Sequence, residues 1–146
     1  MRTIYDRFLS ALYKIRFLPP LFFRWTLAAI FYGTFLNKIE HVQATAEYFA
    51  QLGFPLPKLS VYVSIIIEGV GALFLFLGFA TRLASIFLIA LLIVAITTVH
   101  LPYGFSCANG GYELPFYYIL MLFSLLIGGA GGFSMDALIR AQARRK

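Results

Sequence analysis

The sequence predicts an all-α membrane protein, a four-helix antiparallel transmembrane bundle with short amphipathic helices on its surfaces. The 146-residue chain is 61% hydrophobic and only 12% charged, whereas a soluble domain is about 25% charged. Four stretches are long and apolar enough to cross a bilayer as helices, and they lack the alternating polarity of barrel strands. One domain, residues 1–146, accounts for the chain, with spans at about 21–37, 58–79, 83–100 and 114–131.

The N-terminal segment precedes the first span and has the pattern of a surface helix. Ile4, Phe8, Leu12 and Ile15 recur at helical spacing while charges occupy other faces, which is typical of a helix lying on a membrane. We predict this helix over residues 3–16, and the prolines that follow it turn the chain into the first span.

The first span carries a cation near each end. Arg24 and Lys38 lie on one helical face. Arg24 either extends to the headgroups on its own side of the membrane or serves as the counter-ion of a carboxylate inside the bundle. Beyond this span, residues 41–52 predict a second amphipathic surface helix, which Gly53 ends.

The second span contains one carboxylate, Glu68, in an otherwise uncharged run from 61 to 79. An ionised group at this depth is costly, so it normally faces the interior of a bundle. Glu68 shares a face with Ser64, Gly71 and Ala72, and we expect it to point at other helices. It is either a proton carrier, a counter-ion to Arg24 or Lys38, or a residue that fixes helix packing.

A tight hairpin joins the second and third spans. Gly78 suits the end of a helix, and Thr81 suits the N-cap of the next one. Arg82 adds a positive charge to this turn. We predict that Thr81 and Arg82 are structural residues of the turn.

The net charge of +6 predicts the orientation of the spans. Basic residues gather before the first span, in the hairpin and after the last span, so the positive-inside rule places both termini in the cytoplasm. This division between two termini, without a binding fold, argues against a nucleic-acid partner. The residues concerned are Arg2, Arg7, Lys14, Arg16, Arg82, Arg140, Arg144, Arg145 and Lys146.

The loop between the third and fourth spans offers a candidate binding site. His100 and Glu113 flank it, and a histidine beside a carboxylate suits hydrogen bonding to a quinone ring. We predict that His100, Glu113, Tyr112 and Lys38 form a quinone-binding site. The alternative is that His100 and Glu113 only form hydrogen bonds with the loop backbone.

The sequence predicts no metal site and no covalently bound cofactor. The single cysteine, Cys107, and the two histidines do not form a cluster of metal ligands, and no motif for covalent attachment of a cofactor is present.

Several motifs occur in an order that resembles the DoxX family. They are LGFPLP at 52–57, EGVG at 68–71, LGFATR at 77–82, HLPYGF at 100–105, GGYE at 110–113 and GGFSMD at 131–136. Ala28 and Phe35 depart from the small glycines expected on the first span. The resemblance implies a small multi-pass protein of the bacterial inner membrane, related to membrane subunits of thiosulfate:quinone oxidoreduction.

Three functions follow from these observations. The leading hypothesis is a membrane subunit of a quinone-linked redox system, with quinone as its non-covalent cofactor. Since the chain has no electron carrier of its own, this hypothesis requires a partner oxidoreductase subunit. The competing hypothesis is a non-catalytic membrane anchor or assembly partner, and the third is a small-solute carrier. Whether the chain is an enzyme, and whether it forms a homo-oligomer in the bilayer, stays open.

Overall fold

A computed structural model describes residues 4–143, which form helices and turns with no strand in that range. Thr3, where the first surface helix was predicted to begin, and the terminal basic residues Arg2, Arg144, Arg145 and Lys146 lie outside the described residues. The helices are α1 Ile4–Lys14, α2 Leu18–Glu40, α3 Val42–Gln51, α4 Pro57–Leu77, α5 Thr81–Ala95, α6 Glu113–Gly128 and α7 Met135–Ala143.

Proline and glycine mark several of these boundaries. Proline lies in the first turn of α2 and of α4, where its missing amide proton costs no helical hydrogen bond. Gly78 ends α4 in the left-handed conformation, at φ +66°, as predicted. α6 ends at Gly128, three residues before the approximate end predicted for the last span, and the next residue has φ +78°.

Four helices surround a common core. α2 packs against α4, α4 against α5, α5 against α6, and α6 against α2. α2 and α4 run antiparallel, because Arg24 near the start of α2 contacts the end of α4, whereas Lys38 near the end of α2 contacts the middle of α4. The buried apolar core consists of Leu27, Ala28, Phe31, Ala72, Leu75, Leu88, Leu92, Leu122 and Leu125.

The short helices lie at opposite ends of this arrangement. α3 packs on α4, and its buried Ala46 contacts Val61 and Ile65. α7 follows α6 and contacts the turn between α4 and α5, through the Asp136 amide and the Gly78 carbonyl. We refer to these as the α3 end and the α7 end.

Arg24 holds the α7 end together. Its side chain is only 2% exposed, and it donates hydrogen bonds to the carbonyls of Leu75, Phe76, Ala130 and Phe133 at 2.7–3.2 Å. The last carbonyls of a helix have no partner within the helix, so the guanidinium caps α4 and the segment after α6 together. Arg24 neither extends to headgroups nor pairs with Glu68, and both interpretations offered for it are wrong.

The turn between α4 and α5 is capped by α7. Residue 80 is the N-cap of α5 and has no side-chain cap of its own. Instead, the Asp136 carboxylate accepts hydrogen bonds from the amides of Ala80 and Thr81, at 2.8 and 3.2 Å. The prediction that Thr81 caps α5 is therefore wrong, because a carboxylate from a distant segment occupies that position. Arg82 does have a structural contact, since it donates to the Ile127 carbonyl at the end of α6.

The outer surface of the helices is apolar. Two helical stretches among the described residues, Pro57–Leu77 and Thr81–Tyr103, are long and apolar enough to cross a membrane, and α6 is a shorter apolar helix. A water-soluble monomer rarely exposes large continuous apolar patches. The large apolar side chains exposed on α4, α5 and α6 include Ile66, Leu73, Ile86, Phe87, Phe123 and Ile127.

Candidate functional site

An ion pair between side chains joins Lys38 of α2 to Glu68 of α4. The Lys38 Nζ lies 2.5 Å from the Glu68 Oε1. The Glu68 side chain is 6% exposed and the Lys38 side chain 19%. Glu68 thus faces the helices, as its shared face with Ser64, Gly71 and Ala72 predicted, and all four residues are buried. Of the roles offered for Glu68, this contact agrees with that of a counter-ion to Lys38.

Two features of the helices bring this pair together. Glu68 lies on the buried stripe of α4, which places it opposite the last turns of α2. Its neighbour Gly69 allows close approach, because a Cβ there would lie 2.6 Å from the Phe35 ring. A flexible lysine stem can then bring its ammonium to the carboxylate from the partly exposed end of α2.

The pair forms part of the wall of a cavity at the α3 end. The cavity has a volume of about 590 Å³, which is within the range of small-molecule sites. Its walls come from α3, the loop before α4, α4 itself, α5 and the π-helical turn that follows α5. Most of the lining is apolar and includes Phe54, Leu59, Val63, Phe87, Leu91 and Val94.

One oxygen of the carboxylate is unused. Glu68 Oε1 receives the Lys38 ammonium, but Oε2 is buried and has no hydrogen-bond partner among the described residues. An unsatisfied buried polar atom is costly and rare in native proteins. The arrangement is therefore an apolar chamber with an ion pair in its wall and a spare acceptor on the carboxylate.

Residues Ile96–His100 form a π-helical turn directly after α5. Such turns are rare and occur often at functional sites. Thr98 and Val99 of this turn line the cavity. Sequence reasoning missed this feature, because ITTVH continues an apolar helical pattern and carries no signal for a wider turn.

The predicted quinone ligands in the loop after α5 have backbone partners. His100 Nδ1 lies 2.7 Å from the Gly110 carbonyl, and since a carbonyl only accepts, this nitrogen carries the proton. Glu113 accepts from the Cys107 amide at 3.0 Å and from the Tyr117 hydroxyl at 3.2 Å. The ring of Tyr112 packs edge-on against Phe105. These contacts correspond to the alternative in which His100 and Glu113 satisfy the loop.

One of the four predicted quinone ligands lines the cavity at the α3 end, and the other three do not. Lys38 lines the cavity at the α3 end, whereas His100, Glu113 and Tyr112 do not belong to its lining. The latter three hold the loop that runs from the π-helical turn to α6. A quinone-binding role for them stays a prediction.

Comparisons with known proteins agree with this picture. The DoxX family model matches residues 20–101, which include Lys38, Glu68 and all the other residues that line the cavity. An uncharacterized protein of Haemophilus influenzae is 30% identical over 124 residues, covering 82% of each chain. A Bacillus subtilis protein named "Putative oxidoreductase CatD" is 30% identical over 110 residues, covering 75% of this chain and 78% of that one.

No solved structure matches the chain. The family match covers more than half of the sequence, and its residues form the helices that hold the Lys38–Glu68 pair. The resemblance drawn from the motifs is thereby confirmed. The chain belongs to the DoxX family of membrane proteins.

Proposed function

We propose that this protein is the multi-pass membrane subunit of a quinone-linked redox system and that the cavity beside Lys38 and Glu68 receives the ring of the quinone or quinol. The observation that carries the proposal is the buried ion pair in the wall of an otherwise apolar chamber. A quinone needs an apolar site for its ring and tail, together with polar groups that bind its oxygens.

In this proposal, four helices cross the bacterial inner membrane. α4 and the helix that begins at Thr81 are long enough to cross, and α2 has 23 residues. α6 has 16 residues, which gives about 24 Å at 1.5 Å per residue, against a hydrocarbon core of about 30 Å. A short helix of this kind is accommodated by local thinning of the bilayer.

The orientation follows from the charges at the α7 end. Arg82 and Arg140 lie there, and Lys14 and Arg16 immediately precede α2. The positive-inside rule then places the α7 end and both termini in the cytoplasm. The cavity at the α3 end accordingly lies in the outer half of the membrane, where a membrane-dissolved quinone reaches it sideways from the lipid.

A partner protein supplies the electron carrier in this proposal. The sequence shows no motif for a flavin, a haem or an iron–sulfur cluster. The Bacillus relative is named as an oxidoreductase, which supports a redox role. The proposed division of labour is that this chain holds the quinone and a partner oxidoreductase subunit exchanges electrons with it.

The test is quinone binding by purified protein in detergent, measured with a spin-labelled alkyl quinone. Two variants address the cavity: Ala95→Phe, which fills it, and the double variant Lys38→Met/Glu68→Met, which removes both charges together. Ala44→Phe on the exposed side of α3 and Lys58→Met at the start of α4 are matched controls outside the cavity lining. Circular dichroism confirms that each variant is helical.

We expect the wild type and both controls to immobilise the label and both cavity variants to lose this binding. Absence of binding by the wild type, or equal binding by all five proteins, would overturn the proposal. In that case the competing hypothesis, a non-catalytic anchor for another protein, is the better description.

A further inference from the structure

Glu68 Oε2 indicates which kind of ligand the cavity prefers. We propose, building on the function proposed above, that the site selects a neutral hydroxyaromatic ligand that donates a hydrogen bond, and so binds a hydroquinone in preference to the corresponding quinone. The two forms have nearly the same shape, but a quinone oxygen only accepts hydrogen bonds whereas a hydroquinone hydroxyl also donates.

The charge of the site argues for a neutral ligand. Lys38 and Glu68 form an ion pair, so the wall carries no net charge at this point. A charged ligand would have to give up its hydration to enter an apolar chamber without an uncompensated opposite charge to receive it. A hydroquinone avoids this cost.

Two hydroxyl groups of the wall, those of Ser64 and Thr98, add acceptors, not donors. Ser64 donates its proton to the Val61 carbonyl at 2.8 Å, and Thr98 donates to the Val94 carbonyl at 2.7 Å. Each hydroxyl has a single proton, so both present only lone pairs to a ligand. Together with Glu68 Oε2, three polar groups of the lining are then acceptors.

Donors remain on Lys38 and on Ser60, but these groups differ from Glu68 in exposure. Lys38 is partly exposed and Ser60 is also half-buried, so the protons that they do not use are not enclosed within the protein. Glu68 Oε2 is buried and has no partner among the described residues, and a rotation of the carboxylate is needed to bring it to a ligand in the cavity. The largest unmet hydrogen-bonding requirement in the wall is therefore that of an acceptor, and a donating ligand relieves it.

A ligand series on one aromatic ring tests this preference, and its deciding pair, the compounds with one hydroxyl and with none, cannot form the quinone by loss of two electrons and two protons. The probes share one aromatic ring and one decyl tail and differ only in their para oxygens: two hydroxyls, one hydroxyl and one methoxy, or two methoxy groups. The ring with two hydroxyls is kept anaerobic. Affinity is measured by displacement of the spin-labelled quinone from wild-type protein, Glu68→Gln and the matched control Glu47→Gln on exposed α3.

A hydrogen bond to a charged group makes the compound with one hydroxyl bind about tenfold or more tightly than the dimethoxy compound in wild type. Glu68→Gln supplies an amide that both donates and accepts, so this ratio falls toward one, whereas Glu47→Gln retains it. The corresponding quinone gains affinity relative to the hydroxyl compounds in Glu68→Gln alone.

The outcomes separate this inference from the proposed function. Equal binding of the hydroxyl and dimethoxy compounds by wild type overturns the donor preference but leaves a quinone site in place. A hydroxyl preference that persists unchanged in Glu68→Gln also overturns it, because another group must then be the acceptor. Failure of wild type to bind the spin-labelled quinone overturns the proposed function itself.

Discussion

Arg24 and Asp136 bind opposite sides of the same turn. Arg24 donates to the carbonyls of Leu75 and Phe76 at the end of α4, and Asp136 accepts from the amides of Ala80 and Thr81 at the start of α5. The cation thus satisfies carbonyls and the anion satisfies amides, in agreement with the dipoles of the two helix ends. A single turn in the α7 end is fixed by residues from α2 and α7.

Replacing Arg24 should be the most destabilising single change at the α7 end. Arg24→Met leaves four carbonyls without their donor, and each unsatisfied buried group costs about 1–3 kcal/mol. We expect a loss of several kcal/mol, measured as a fall in the thermal midpoint in detergent. Arg140→Met is the control, because Arg140 is exposed and, among the described residues, donates to a single group, the Asp136 carbonyl. Similar midpoints for both variants would contradict this assignment.

The conformation of the loop after α5 should depend on the absence of a side chain at Gly111. A Cβ at this position would lie 2.3 Å from the Gly104 carbonyl oxygen, so Gly111→Ala must displace the backbone that holds His100 and Glu113. We expect faster modification of Cys107 by a maleimide, because its amide contact with Glu113 is lost. Gly132→Ala is the control, since its Cβ meets no atom within 4 Å, and equal rates in both variants would show that the loop tolerates the change.

The Lys38–Glu68 pair should show strong energetic coupling. Lys38→Met alone leaves a buried carboxylate without its counter-ion and should cost roughly 3 kcal/mol of unfolding free energy. Lys38→Met/Glu68→Met removes both charges and should recover most of that loss. The measurement is reversible unfolding, in mixed micelles, of the two single variants Lys38→Met and Glu68→Met and of the double variant. Additive effects of the two single changes would indicate that the pair does not interact.

Cys107 provides a direct test of orientation. It is the single cysteine of the chain and is exposed in the loop between the π-helical turn and α6. A membrane-impermeant maleimide should label it in intact cells, because the proposed topology places this loop outside. Labelling that requires disruption of the membrane would reverse the topology. Cys107→Ser with a new cysteine at Arg140 should show the opposite pattern.

The burial of Glu68 and its need for a partner could be predicted from the sequence, because both depend on residues close to it in the chain. The spacing of Ser64, Glu68, Gly71 and Ala72 on one helix determines which face is buried, and a charge on that face requires a partner. Lys38 was one of the few candidates within reach. The family resemblance and the positions of the helices likewise depend on patterns within short segments.

The contacts of Arg24 and Thr81 could not be predicted in the same way. The carbonyls that Arg24 binds come from segments 51 to 109 residues away, and no pattern near Arg24 identifies them. Thr81 has the residue type of an N-cap. The Asp136 carboxylate binds the amides at this helix start instead, because α7 packs against the turn. The cavity also escaped prediction, since it depends on the meeting of α3, α4 and the π-helical turn.

The opposite charges of Lys38 and Glu68 have a consequence for how the site responds to voltage. A membrane potential acts on net charge, with about 2.3 kcal/mol per elementary charge per 100 mV. A paired lysine and glutamate contribute equal and opposite terms, and a neutral ligand adds none. If the cavity binds a neutral quinone or quinol as proposed, its occupancy should therefore be the same in energised and de-energised membranes. The redox state of the quinone pool, and not the proton-motive force, would then determine the fraction of occupied sites.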